Sequence, residues 1–361
     1  MKITFMCPST PHPIGGNIAL YHFANSLSRR GHDVVLAHLR VWGAGIESVS
    51  DLDWFRFEPC MGHWFEGSGE LAPADIVVGT GMPEELGLPV LLVQGIDMLH
   101  PWLERKGMRS PSRRICVASW LADVGTLFGI PRDQFAVVPC GIDHDTFRLS
   151  EPPTARTIDL AILHHDHEAK GWGVAAETLD IVVSKRPSTQ SLIFSATGPE
   201  GPLPPGTRFL HAPDHTTLAT DVYNRTKVFL QASRYEGFGL TAVEAMACGA
   251  ALVTTDNGGS RDYAFDGRTA RVVEARDPAV LADLVIDLLE DDDERQRLAE
   301  AGRLSVASFD WDRSGELLEA TIEEYLAEPA RFLVEPGEDL TLRADMEVGD
   351  IAAAALAARR P

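Results

Sequence analysis

The chain has 361 residues, enough for one or two domains, and 45% of them are hydrophobic, so full cores are available. Its 53 acidic residues outnumber 32 basic ones, and the formal net charge of −21 argues against non-specific binding to nucleic acid or anionic lipid. No run of about 18 apolar residues occurs, so no transmembrane segment is expected.

The opening MKITFMCPSTPHP lacks the apolar core of a signal peptide. Five cysteines, Cys7, Cys60, Cys116, Cys140 and Cys248, are scattered without metal-type spacing. Free thiols and a cytoplasmic location are the expectation. Acid runs such as Glu290–Glu294 read as solvated faces.

In chain order, ITFMC from Ile3 reads as a buried strand. A Gly15-Gly16 turn then opens a helix, NIALYHFANSLSRRG, that ends at Gly31. DVVLAHL from Asp33, DIVVGT from Asp75, PVLLVQ from Pro89, ICVAS from Ile115 and FAVVP from Phe135 continue as strands. Trp42, Trp54, Phe55, Phe57, Trp64 and Phe65 cluster between the second and third of these. They suit a carbohydrate or lipid platform and equally suit core or loop packing. Glu104 to Arg114, ERKGMRSPSRR, is locally basic. It fits a peripheral membrane or phosphate contact and, more simply, an exposed connector.

SEPPTART, residues 150–157, reads as a polar linker. The alternation restarts with IDLAIL from Ile158, SLIFSA from Ser191, TRFLHA from Thr207, KVFLQAS from Lys227 and ALVTT from Ala251. Strands alternating with helices predict two doubly wound parallel sheets, one over 1–149 and one over 158–311. A crevice at the C-terminal ends of the strands is where such sheets bind ligands. A helix over 312–326 follows, expected to pack back on the first domain. The extension 327–361, with a terminal helix near 351–359, offers an oligomer contact and no visible chemistry.

The most informative stretch is RYEGFGLTAVEAMACGA. Leu240–Cys248 reads as a helix with Gly249 at its left-handed end. Its unpaired first-turn N–H groups, near Gly239 to Ala242, and the helix dipole make an anion site. Glu236 lies before that site and Glu244 inside the helix. Carboxylates on both sides of a phosphate site suit a ligand with hydroxyls at both ends and phosphate between them, as in a nucleotide-diphosphate sugar. A loop residue and a solvated helix face are the bland alternative.

These segments resemble the retaining glycosyltransferases of family 4, which have the GT-B fold: two Rossmann-like domains facing a central cleft. The similarity runs from Met1 to about Leu326. It is carried by the N-terminal strand, Gly-Gly and Arg-Gly-His pattern, by VVPCGIDHDTF ending at Phe147, by Lys170-Gly171, and by EGFGLTAVEAMACGAALVTTDNGGSRDYAFDGRTARVV. LLVQGIDM from Leu91 and LAILHHDHEAKGW from Leu160 look closer to the branch with rhamnan-type transferases.

The resemblance implies that Glu236 meets sugar hydroxyls and Glu244 the ribose hydroxyls. Backbone N–H groups of Phe238, Gly239, Leu240 and Thr241 would hold diphosphate and sugar. Lys170 would neutralise charge on the leaving diphosphate, Gly15 and Gly16 would allow close approach, and the loop from His211 to Pro213 would face the base. Physical chemistry agrees with this division. Sugar transfer builds positive charge on the sugar and negative charge on the β-phosphate, and donors already in place stabilise the latter. No cofactor or metal is then required. An exposed helix-start lysine is the alternative for Lys170.

The sequence also departs from the family. An arginine that precedes Lys-Gly in most members is replaced by His164-His165, either of which could donate to phosphate, more strongly if protonated. Gln94, with Asp97 close behind, stands where the family has a histidine, and the two become the candidate sugar contacts of the first domain. His164 to His167 and Asp143/Asp145 both have the look of metal ligands, but adjacent ligands of one loop rarely converge, and the Asp pair reads as structural. The expected activity is sugar transfer from a nucleotide-diphosphate donor to a hydroxyl acceptor. A non-catalytic nucleotide-sugar-binding scaffold and a sugar epimerase on the same fold are the alternatives.

Overall fold

The structure is a computed structural model that describes residues 1–8, 14–39, 52, 55, 57, 61–65 (backbone), 71–79, 86–96, 107–199, 201–274, 276–333 and 353–357. It contains two compact units, Met1–Gly141 with Trp311–Pro361, and Ile142–Asp310.

The first unit holds seven parallel strands: β1 (Lys2–Cys7), β2 (Asp33–Leu39), β3 (Met61–Phe65), β4 (Ile76–Gly79), β5 (Leu88–Val93), β6 (Arg113–Cys116) and β7 (Phe135–Val137). Their order is β3-β2-β1-β4-β5-β6-β7. Strand order reverses between β1 and β4, the switch point of a doubly wound sheet. Helix α1 (Gly15–Arg29) follows β1 and α2 (Ser119–Leu127) follows β6. Gly15 and Gly16 are thus the first helical residues and not a turn before the helix. Helix N-termini tolerate this because first-turn N–H groups lack intrahelical partners in any case.

β3 was not expected. Its glycine and aromatics give no β-branched alternation, and its pairing with β2, Leu36 opposite Gly62, comes from the backbone ladder. Of the aromatic group around it, Phe55 and Phe57 pack edge-on to each other and against Tyr21. Trp42, Trp54 and the side chains of Trp64 and Phe65 lie outside the described residues. Within the described part of the basic stretch Arg109 is exposed, but the other two arginines are not open cations. Arg113 is buried and paired with Glu324 at 3.1 Å, and Arg114 is buried with its guanidinium on the carbonyls of Met108, Ser110 and Ser112. Residues 104–106 are outside the described set.

Later in the chain, α7 (Trp311–Ala327) packs on α1. Gly315 allows the close approach, since a Cβ there would lie 1.8 Å from Ser26 Oγ. The Trp311 indole stacks on His22 at 4.4 Å, and Arg29 reaches Asp312 at 2.8 Å. Beyond the short Pro329–Phe332 helix and Leu333, only 353–357 of the extension is described, and it is helical.

The second unit has six parallel strands: β8 (Ile158–Leu163), β9 (Ser191–Ser195), β10 (Thr207–His211), β11 (Thr226–Gln231), β12 (Ala251–Thr255) and β13 (Arg271–Val273). Their order is β10-β9-β8-β11-β12-β13, which places the switch point between β8 and β11. The three-residue β13 is too short to show a period and was not expected. Helices α3 (Trp172–Lys185), α4 (Leu240–Ala247), α5 (Pro278–Glu290) and α6 (Asp292–Val306) connect and cover the sheet. Asp277 caps α5 through Ala279 N–H, with Pro278 at the first helical position. Leu160, Ile162, Leu179, Val182, Val228, Leu230, Val253 and Leu281 belong to one continuous core.

The expected linker 150–157 belongs to this second unit, which begins at Ile142. Asn224 fixes it, accepting from Ser150 N–H at 2.8 Å, and Arg156 is buried beneath β11 and the end of α4. Asp143 is bonded to Asp145 N–H and to the Thr146 hydroxyl, a local turn.

Candidate active site

The candidate site of the second unit lies where β8 and β11 end, the position at which a doubly wound sheet takes its ligand. The loop after β8 carries His164, His165 and Lys170. The loop after β11 carries Ser233, Glu236 and Gly239 and leads into α4.

Lys170 and Glu236 meet here. Lys170 Nζ donates to Glu236 Oε2 at 2.7 Å, with 20% and 8% of the two side chains exposed. Glu236 Oε1 accepts from Ser233 Oγ at 2.8 Å and from Gln231 Nε2 at 3.5 Å. Glu236 N–H donates to Asn257 O at 2.9 Å, and Asn257 Nδ2 donates to Gln231 Oε1 at 3.2 Å. The carboxylate is therefore fixed on several sides, and neither an exposed lysine nor a free loop glutamate describes the pair. The sequence alone did not single out Ser233, Gln231 or Asn257, although the first lies within the ASRYEG run.

Gly171 seats the lysine. Its φ is +68°, and a Cβ there would stand 2.0 Å from Ala232 O. Arg234 N–H completes the seam by donating to Ala169 O at 2.6 Å. Lys-Gly is thus a chain crossing as well as a charge.

Gly239 precedes α4 in the left-handed region at φ +96°, and a Cβ there would lie 2.5 Å from Tyr263 Oη. That hydroxyl donates to Phe238 O at 3.1 Å, and Phe238 is itself buried against Tyr263 and Phe309. The start of the helix is rigid as a result. Leu240 and Thr241, both half-buried, open its first turn, where N–H groups have no i−4 acceptor.

Glu244, one turn further on, is not a solvated face. It is 9% exposed, and the buried Tyr223 hydroxyl donates to its Oε2 at 3.3 Å. Tyr223 follows a π-helical turn, Leu218–Val222, a feature common at functional sites. Burial pushes the Glu244 carboxyl up to about 8, and the Tyr223 bond only partly opposes this. Unfolded glutamate titrates near about 4.3, so between these values the folded chain holds a proton that the unfolded chain has lost. The stability from this group is complete below the unfolded value and is lost as pH rises through about 8. Between about pH 6 and 7 it should decline by roughly 1.4 kcal/mol per pH unit, the slope falling to about half of that near pH 8. Denaturant titrations of wild type and Glu244→Gln check this. The wild-type stability should fall across that range relative to the amide, and parallel profiles would contradict it.

The two histidines differ. His164 is buried, with Nδ1 3.1 Å from Ser195 Oγ, its ring edge-on to Trp172 and Nε2 3.6 Å from Asp166. His165 is half-buried, and its Nδ1 accepts from His167 N–H at 2.9 Å. When neutral it carries its hydrogen on Nε2. Burial lowers both below the usual histidine range, and for His165 nearby Lys170 adds to the effect. A charged histidine in place of the missing arginine is therefore disfavoured in the free protein; His165 Nε2–H is a neutral donor. His167 Nδ1 is likewise used, accepting from Ala169 N–H at 3.2 Å. Among the described residues no three His, Cys, Asp or Glu side chains converge as metal ligands.

His211 is exposed at the end of β10 and precedes Ala212, which has φ +44°. That conformation is uncommon for alanine. In the first unit, Gly16 and Gln94 are neighbours, a Cβ on the glycine falling 3.1 Å from Gln94 Oε1. Gly15 is exposed beside them, and Asp97 lies outside the described residues.

Residues 204–305 match the family model for glycosyl transferases group 1. A glycogen synthase of Mycobacterium tuberculosis is 31% identical over 320 residues, covering 82% of this chain and 74% of that protein. The chain belongs to the group 1 glycosyltransferases. A phosphatidyl-myo-inositol mannosyltransferase of Mycobacterium tuberculosis is 32% identical over 188 residues, 48% of this chain, and the match spans half of that relative's length. The chain thus spans about half the length of such curated relatives. Among solved structures, the sucrose-phosphate synthase of Thermosynechococcus elongatus has a TM-score of 0.72 at 17% identity, covering 90% of this chain and 99% of that one. Anabaena HepE, solved in complex with UDP-glucose, has a TM-score of 0.71 at 15% identity, covering 90% and 100%. These establish for this group 1 glycosyltransferase the GT-B fold with its two Rossmann-like units. No described helix is long and apolar enough to cross a membrane.

Proposed function

We propose that the protein transfers a hexosyl or deoxyhexosyl group from a nucleotide-diphosphate sugar to a hydroxyl acceptor, with retention at the anomeric carbon and without a metal. The acceptor class is a polysaccharide, a lipid-linked glycan or a natural product, and the sequence motifs resemble the family 4 pattern, with some resemblance to its rhamnan-type branch. The observation that carries the reading is the Lys170–Glu236 pair beside the start of α4 at the β8/β11 switch point. Lys170 and the free N–H groups of Leu240 and Thr241 are donors suited to a leaving diphosphate. Glu236 is an acceptor suited to sugar hydroxyls, and Glu244 to the ribose. His165 Nε2–H adds a neutral donor to the same loop. Relatives named for mannosyl transfer and glycogen synthesis, and a UDP-glucose complex of a structural neighbour, support a hexose donor. In the first unit, Gly15 and Gly16 are the candidates that let the chain approach donor and acceptor closely, and Gln94 is the candidate donor-sugar contact.

The test is release of nucleoside diphosphate from a panel of nucleotide sugars, first without and then with candidate acceptors. Turnover with at least one donor is expected, and it should persist in excess chelator. Binding without turnover across the panel would favour a scaffold. Activity lost in chelator and restored by a divalent ion would overturn the metal-free part.

A further inference from the structure

A cavity of the second unit lies at the opposite end of α4 from the candidate site. The helix has eight residues, so its two ends are about 12 Å apart at 1.5 Å per residue. The cavity measures about 160 Å3, well above the roughly 10–15 Å3 that one water needs. Arg156, Lys227, Arg295, Gln296 and Glu300 bring polar groups to it, and Gly249 leaves it open. A Cβ on that glycine would fall 2.8 Å from Arg156 Nη2.

The charges around it are matched in pairs, with one exception. Lys227 bonds Asp159 at 2.8 Å, Arg295 pairs with Asp292, and Glu300 pairs with Arg303 at 2.7 Å. Among the described residues Arg156 has no carboxylate within ion-pair distance, although its side chain is more than nine-tenths buried. Its guanidinium instead meets three carbonyls. Nη1 donates to Tyr223 O at 3.0 Å and Thr226 O at 2.5 Å, and Nη2 donates to Cys248 O at 2.7 Å. Burial lowers its pKa to about 10, so it remains charged near neutrality.

A guanidinium has five N–H groups. Three are engaged, and the two that remain are Nε–H and the second Nη2–H. They form one edge of the fork, the edge that matches two oxygens of a carboxylate or phosphate. Because Arg156 already takes the Cys248 carbonyl, the negative end of α4 is covered on that side. In a chain of net charge −21, Arg156 is thus a buried, carboxylate-free cation that borders an open cavity.

We propose that this cavity binds a small oxyanion of the phosphate or carboxylate class, gripped side-on by the free edge of Arg156. The site is separate from the Lys170–Glu236 pair and does not depend on the proposed transfer reaction.

Substituting Arg156 would also break three carbonyl bonds and could prevent folding. The exposed rim residue Gln296 is the better probe. Thermal midpoints would be measured with inorganic phosphate or acetate, against sodium chloride at equal ionic strength. In wild type the midpoint should climb with the logarithm of phosphate concentration, most steeply at low concentration, whereas general salt exclusion gives a rise proportional to concentration. That logarithmic rise should survive in Lys170→Met, fall by at least half in Gln296→Glu, and be kept or enlarged in Gln296→Lys. A rise with phosphate alone would assign phosphate-bearing ligands, and a rise with both anions would assign carboxylates as well. No rise at low phosphate beyond the sodium chloride control in wild type, a rise lost in Lys170→Met, or one unchanged in Gln296→Glu would overturn the proposal.

Discussion

Replacing Lys170 by methionine should lower kcat for donor turnover by roughly a hundred- to a thousandfold, the usual loss on removing one preplaced donor from a developing oxyanion. Methionine keeps an unbranched apolar stem, so the packing of the loop is largely preserved. The loss falls on kcat because the charge on a departing diphosphate grows in the transition state and is smaller in the bound donor. The affinity for the nucleoside diphosphate product should also weaken, since that product carries the charge Lys170 is proposed to meet. The substitution additionally leaves Glu236, 8% exposed, with Ser233 and Gln231 but without its cation. A buried carboxylate that loses its partner is costly, so a lower thermal midpoint is expected as well. Steady-state kinetics with the best donor, together with calorimetric binding of the matching nucleoside diphosphate, separate the two effects. A kcat within about threefold of wild type would remove Lys170 from the catalytic role, since the predicted loss is at least about a hundredfold.

Much of this site was legible in the sequence because its elements are marked by residues with few alternatives. Gly239 and Gly249 frame α4, and both take positive φ values of 96° and 80°. Strands β8 (IDLAIL), β11 (TKVFLQ) and β12 (ALVTT) centre on Ile, Leu, Val or Phe and are buried on both faces at nearly every position, as expected of parallel strands. What stayed hidden depends on tertiary contact. Nothing in the spacing of Gln231, Ser233 and Asn257 says that they converge near Glu236. That convergence follows from the ladder of β11 on β12 and the bridge of Glu236 to Gly258. Glu244 has the sequence appearance of any helical glutamate, and only the packing of Tyr223 from beyond a π turn shows it to be buried. The same limit applies to 150–157. Its prolines read as a linker, while Arg156 anchors it under three carbonyls of the second unit. Arg113 and Arg114 appear as surface charge in sequence and become buried because β6 takes them inside.

Gly171→Ala should destabilise the second unit and disable the site together, whereas Gly173→Ala, two residues away, should do neither. At Gly171 the added methyl group would stand 2.0 Å from Ala232 O and 2.8 Å from Ala232 C, both backbone atoms that cannot swing aside. The residue also sits at φ +68°, where an L side chain costs about 1–2 kcal/mol. Overpacking adds typically about 1–3 kcal/mol, so about 3 kcal/mol or more is expected, or roughly 6–12 °C in the midpoint of a unit of this size. The only relief is for the Lys170–Gly171 corner to move away from the loop after β11. That movement would pull Lys170 Nζ from Glu236 Oε2, now 2.7 Å away, so turnover should fall as in Lys170→Met even at temperatures where the variant is folded. Gly173 has ordinary helical φ, and a Cβ there would meet nothing within 4 Å. Alanine at that position should be neutral or stabilise α3 by up to about 1 kcal/mol. Calorimetric unfolding and donor turnover on the two variants test the pair. Equal behaviour of Gly171→Ala and Gly173→Ala would show that the close crossing at Ala232 does not hold Lys170 in place.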